Sequence, residues 1–182
     1  MEDELAHWQL DETSVNDELT ELPQHSLFEN EVQYAIDAGV GDGLCLMLID
    51  VDNLGAINDE FGREAGDAVL VGIAERLRRA VRPRDLVARL AGDDFAVMFE
   101  NVGHSAVDSV AKRILRVAHE SMLVGPQLLN VQVSLGMAEA DGQQDASQLM
   151  EQATAALAAA KLENSDHYAW FMQDAAERVI DD

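Results

Sequence analysis

Adjacent carboxylates at a tight bend are the chemistry-bearing feature of this sequence. Residues 84–90 run into Ala91-Gly92-Asp93-Asp94, and residues 95–100 run out of it. Two apolar, β-prone runs about a short glycine-containing turn predict a hairpin. A second acidic pair, Asp50 and Asp52, stands where the apolar run 44–49 ends. If the two strands are neighbours, these carboxylates converge at one edge of a sheet. Oxygen ligands gathered in that way suit a hard divalent cation and metal-dependent phosphoryl transfer. Taken singly, each residue has a plainer reading. Asp93-Asp94 is then a solvated turn, Asp50 and Asp52 are strand-end polar residues, and Asn58 and Asp67 are helix caps.

The elements that must position these groups follow from hydrophobic periodicity. Pro23 suits a helix start, and Leu27, Phe28, Val32 and Ile36 keep roughly helical spacing until Gly39. Residues 44–51, apolar but for Asp50, read as a strand buried on both faces. A short helix over 56–61 closes at Gly62, and a longer one over 64–81 ends before Pro83. After the hairpin come a third amphipathic helix over 106–119, a strand over 128–138 and an Ala-rich helix over 146–162. Residues 169–172 suit a final edge strand. There is no internal repeat. The order predicts an α/β fold, a central mixed sheet with an antiparallel hairpin and helices on its faces. The domain is expected at 17–172, with residues 1–16 an acidic tail or connector helix and 173–182 an acidic tail.

Twelve basic against 35 acidic residues give a formal charge of −23. That field repels nucleic acid and anionic membrane, so neither is an expected partner. No apolar stretch approaches the roughly 20 residues of a membrane span. The first residues are acidic where a signal peptide is basic, so a cytoplasmic location is expected. The single cysteine, Cys45, reads as a small buried hydrophobe. Five of the twelve basic residues, Arg76, Arg78, Arg79, Arg82 and Arg84, crowd into one stretch. They read either as a solvated helix end or as an anion site. The histidines His7, His25, His104, His119 and His167 show no metal-ligand spacing and are given no chemistry.

Five motifs in order resemble the GGDEF family, the diguanylate cyclases. Asp17 to Pro23 resembles D-x-L-T-G-L-P. Asp50-Val51-Asp52, Ile57-Asn58-Asp59, Phe61-Gly62 and Gly66-Asp67 follow the D-x-D, I-N-D, F-G and G-D pattern. Ala91-Gly92-Asp93-Asp94-Phe95 occupies the signature, Ser134-Leu135-Gly136 a later S-x-G, and Ala160-Lys161 an A-K. The resemblance implies a palm-like fold that condenses two GTP into cyclic di-GMP, as a homodimer with one GTP per subunit. It implies Mg²⁺ or Mn²⁺ held by Asp50, Asp93 and the Val51 carbonyl, with Asp93 helping to deprotonate the ribose 3′-OH. Asp94 and Lys161 complete the catalytic set, Lys161 as a point charge on the terminal phosphates. Asn58 and Asp67 would read guanine, and Gly92 would let the nucleotide approach the backbone. Arg82-Pro83-Arg84-Asp85 matches R-x-x-D, which in relatives is an inhibitory site where Arg and Asp bind the product.

The chain also departs from the pattern. Ala91 replaces the first Gly of the signature, and Asp94 the usual Glu, one methylene longer. Gly55 stands where Lys is common, Glu21 replaces Gly, and Gln24-His25-Ser26 replaces an Asn-Arg pair. Ser165 stands where an Arg is expected on the γ-phosphate; a lost charge-assisted contact is worth on the order of 1.5–3 kcal/mol. Three readings follow: a diguanylate cyclase with product inhibition, an impaired member acting as a cyclic di-GMP receptor, and a nucleotide-free interaction module. The intact metal and guanine residues favour the enzyme, and Ser165 and Asp94 the receptor.

Overall fold

The computed structural model describes residues 15–39, 43–162 and 167–172. Ser165 and the two predicted tails, apart from Val15 and Asn16, lie outside them. Among the described residues, five strands form one sheet in the order β2-β3-β1-β6-β7. They are β1 (Cys45–Val51), β2 (Leu86–Ala91), β3 (Asp94–Phe99), β6 (Val133–Glu139) and β7 (Tyr168–Trp170). The helices are α1 (His25–Asp37), α2 (Leu54–Phe61), α3 (Arg63–Ala80), α4 (His104–Ala118) and α5 (Ala146–Leu162). β1 pairs antiparallel with both β3 and β6, and β7 pairs parallel with β6 at the edge. This is the mixed α/β sheet that the sequence predicts, hairpin included.

Side-chain alternation explains the layers. Cys45, Met47, Ile49 and Val51 pack with α3 and α4, while Leu44, Leu46 and Leu48 pack with α1 and α5. The central strand is therefore buried on both faces, as a continuous apolar run should be. The same parity governs β3, where Phe95, Val97 and Phe99 join the first layer and Ala96 and Met98 the second. Cys45 is buried as expected, and burial, aided by Glu139, pushes its thiol up, away from reactivity.

One strand was read too long. The run 128–138 is two elements: β5 (Gln127–Leu129), which forms a separate two-stranded hairpin with β4 (Met122–Val124), and then β6. Gly125-Pro126 supplies the turn between β4 and β5, with Gly125 at φ +57°. The helices and edge strands otherwise differ from expectation by one to three residues at their ends, where frayed turns blur periodicity. Among the described residues no helix is long and apolar enough to cross a membrane.

Gly136 controls how closely α5 lies on the sheet. A Cβ there would come 2.1 Å from the Leu157 backbone nitrogen and 2.4 Å from the Ala153 carbonyl oxygen. Both are backbone atoms, so neither yields without moving the helix. At the neighbouring edge strand, His104 opens α4 by stacking on Trp170 of β7 with centroids 3.8 Å apart. Gly136→Ala should cost about 1–3 kcal/mol by overpacking, measured by urea unfolding.

Candidate functional site

Register and parity together build the acidic cluster. Asp50 on β1 lies opposite Asp94 on β3 and opposite Ser134 on β6. It has the parity of Leu46 and Leu48, and Asp94 that of Ala96 and Met98, so both share the α5 side of the sheet. The hairpin turn is Gly92-Asp93, with Gly92 at φ +52°, a region open to glycine. Asp94 is thus the first residue of β3 rather than part of the turn. The Val51 N–H donates to the Asp93 carbonyl at 3.1 Å and holds the turn against β1. Ligand oxygens of Asp50, Asp93 and Asp94 all lie within 4.8 Å of one another. Three hard oxygen donors at that spacing, all partly buried, fit a divalent cation.

Lys161 ends α5, and its Nζ sits 2.8 Å from Asp50 Oδ2. Partial burial pulls its pKa down, but the hydrogen bond it donates to Asp50 and the charges of Asp50, Asp52 and Asp94 outweigh it, so the net shift is upward. Asp94 is pushed up to about 6, first by burial and then by the Asp50 and Asp93 carboxylates. Asp52 is oriented by Ser134, whose hydroxyl donates to both its oxygens at 3.0 and 3.1 Å. Asp50, Asp52, Asp93, Ser134 and Lys161 line a cleft of about 440 Å³ with Val51, Asn53, Gly55, Gln132 and His167. Asn53 turns the chain from β1 into α2 at φ +59°, a left-handed conformation that Asn tolerates.

The other sequence-named residues fall in two further places. Asn58 lies on α2 and Asp67 on α3, beyond the shared cap at Gly62. A Cβ at Gly66 would stand 1.8 Å from Asn58 Oδ1, so only glycine lets the amide lie on α3 next to Asp67. Asn58 Oδ1 is buried without a hydrogen-bond partner among the described residues. Arg82 and Asp85 sit at the far end of β2, away from the cluster. There Asp85 Oδ2 accepts from the Arg82 backbone N–H at 2.8 Å, while its buried Oδ1 has no partner. Arg82 and Arg84 are exposed. Arg76, by contrast, is occupied: it donates to the carbonyls of Ala118, Glu120 and Ser121 after α4.

Arg89 escaped the sequence reading. Its Nη1 donates to both oxygens of Asp17 at 3.0 and 2.9 Å, and its Nε and Nη2 donate to the Gly92 carbonyl at 3.0 and 2.6 Å. Asp17 also accepts from the Thr20 backbone and hydroxyl. Partial burial raises the Asp17 pKa, but the Thr20 bonds and Arg89 outweigh that and hold it low. A single Arg thus ties the opening motif to the signature turn. One Arg in an apolar strand carries no motif of its own; its neighbours become legible only once Asp17 is placed.

With this geometry in hand, comparison with known proteins is direct. The sequence profile described as "Diguanylate cyclase, GGDEF domain" matches residues 14–167. The bifunctional diguanylate cyclase/cyclic di-GMP phosphodiesterase MucR of Pseudomonas aeruginosa is 29% identical over 169 residues, covering 91% of this chain and 25% of MucR. The response regulator PleD of Caulobacter vibrioides is 32% identical over 139 residues, covering 74% of this chain and 31% of PleD. The chain therefore spans about a quarter to a third of these relatives' lengths. Among solved structures, the GGDEF domain of DgcB from Caulobacter crescentus, in complex with cyclic di-GMP, superposes with a TM-score of 0.80. It is 27% identical, covering 86% of this chain and 95% of that one. The chain belongs to the GGDEF family, and its fold is that of GGDEF domains.

The raised Asp94 value has a consequence for stability. Its ordinary value is 3.8 and its folded value about 6. Between these the folded protein binds a proton that the unfolded chain has released, so this carboxyl's contribution to stability is fully present below 3.8 and is lost as pH rises through about 6. The thermal midpoint of metal-free protein should fall across that window. Asp94→Asn should remove this part of the fall, and added Mg²⁺ should reverse it in the wild type.

Proposed function

We propose that this chain is a diguanylate cyclase domain, joining two GTP into cyclic di-GMP with release of pyrophosphate. The observation that carries the reading is the convergence of Asp50, Asp93 and Asp94 within 4.8 Å, with Lys161 against Asp50. Carboxylates of like charge are costly to hold together unless a cation neutralises them. Asp50, Asp93 and the Val51 carbonyl would hold Mg²⁺ or Mn²⁺, which when bound neutralises charge on the transferring phosphoryl group. Once Asp50 is so engaged, Lys161 is released to the terminal phosphates. Asn58, held on Gly66, and Asp67 bind the guanine edge. Asp93 helps draw the proton from the ribose 3′-OH of one GTP. The freed oxygen attacks the α-phosphorus of the other, and pyrophosphate leaves. Asp94 completes the carboxylate set from across the ladder.

Two nucleotides must face each other, so the active form is a homodimer with one GTP in each copy. The domain responsible is read as residues 17–172. Product returns to Arg82 and Asp85, where the exposed Arg82 guanidinium suits phosphate.

The test is GTP turnover with Mg²⁺, resolved by nucleotide chromatography. Wild type should yield cyclic di-GMP, Asp93→Ala should lose at least roughly a hundredfold of the rate, and Arg82→Ala should relieve inhibition by product. Absence of product together with cyclic di-GMP binding lost in Arg82→Ala would instead make the domain a receptor. Neither turnover nor binding would leave the interaction module.

A further inference from the structure

The two carboxylates of the Asp50-Val51-Asp52 run each face a basic side chain brought in by the chain after β6. Lys161 stands against Asp50 at 2.8 Å, and His167 Nδ1 lies 3.9 Å from Asp52 Oδ2. Lys161 already has a role in the proposed reaction, whereas His167 has none. It lines the same cleft as Asp50, Asp93 and Lys161. Among the described residues lining that cleft, Lys161 and His167 are the only basic ones. The remaining charged groups there are carboxylates, which repel a polyphosphate.

His167 is also held in place at some cost. Its backbone has φ +57°, a left-handed conformation uncommon for a residue other than glycine and one that costs energy to keep. The Leu135 N–H donates to its carbonyl at 2.8 Å, which binds it to the sheet just before β7. Asp52, the group it faces, is itself pinned by Ser134. The imidazole side chain remains 47% exposed. At 3.9 Å the approach of Nδ1 to Asp52 is too long for a hydrogen bond, so the ring can carry its N–H on Nε2 and donate from there.

We propose that His167 binds the terminal phosphates of the guanine nucleotide beside Lys161, so that it selects triphosphate over monophosphate. Asp52 and Ser134 are its positioning residues. The proposal rests on the GTP-binding reading above and adds to it the residue that reads the length of the phosphate chain.

The test measures affinity by calorimetry for a non-hydrolysable GTP analogue and for GMP, both with Mg²⁺. The variants are His167→Asn, which keeps the tolerance for left-handed backbone, and His167→Arg, which keeps an N–H donor able to reach phosphate. In His167→Asn the affinity for the analogue should fall about tenfold, as for loss of one charge-assisted hydrogen bond, while GMP binding stays unchanged. His167→Arg should restore the wild-type ratio. A residue serving only the turn into β7 would move the thermal midpoint and leave the ratio alone. An unchanged analogue-to-GMP ratio in His167→Asn would overturn the inference and leave the GTP-binding reading standing. A wild type that binds neither nucleotide would overturn both.

Discussion

The pairing of β1 between β3 and β6 is the constraint on which the working end of the molecule depends. It sets Asp50 opposite Asp94 on one side and Ser134 on the other. Three carboxylates brought this close repel one another, and burial together with that repulsion makes Asp94 hold its proton up to about 6. What keeps them together is not local. Ile49, Phe95 and Leu135, one position along the same three strands, are fully buried. Burying one large apolar side chain is worth roughly 1.5–3 kcal/mol. The apolar residues of the strands therefore hold a polar arrangement that would disperse if left to itself.

α5 answers that charge. Gly136 leaves room for the helix backbone to lie on β6, which brings Lys161 to Asp50 at the helix end. The chain then returns to the same cleft at His167 before joining the sheet edge as β7. One helix and its exit thus deliver both basic groups to the two acidic residues of β1. On the other flank, Arg89 clamps the signature turn to Asp17, so the hairpin tip is braced by the opening motif. The cluster is bounded by β3, β6 and the end of α5 and opens into the cleft.

Much of this was legible in the residues. Two apolar, β-prone runs about the glycine turn gave the hairpin, and the run 44–51, apolar but for Asp50, gave a strand buried on both faces. The convergence of Asp50 with Asp93 followed once those two strands were taken as neighbours. The β4–β5 hairpin was lost because residues 128–138 alternate well enough to pass as one strand. Arg89 and His167 were lost for a different reason. Each acts through a partner distant in sequence, Asp17 for the first and Asp52 for the second, and a lone basic residue announces no such partner. The raised Asp94 value depends on burial and on two neighbouring charges, neither of which has a local signature.

The central claim is that the acidic cluster receives a metal–triphosphate and that Lys161 changes partner when it does. The most direct measurement is a crystal structure with Mg²⁺ and a non-hydrolysable GTP analogue. The account predicts metal density among Asp50, Asp93 and the Val51 carbonyl, guanine against Asn58 and Asp67, and Lys161 Nζ moved from Asp50 to a phosphate oxygen. Nucleotide bound elsewhere, with Lys161 still on Asp50 at 2.8 Å and no metal between the carboxylates, would contradict it.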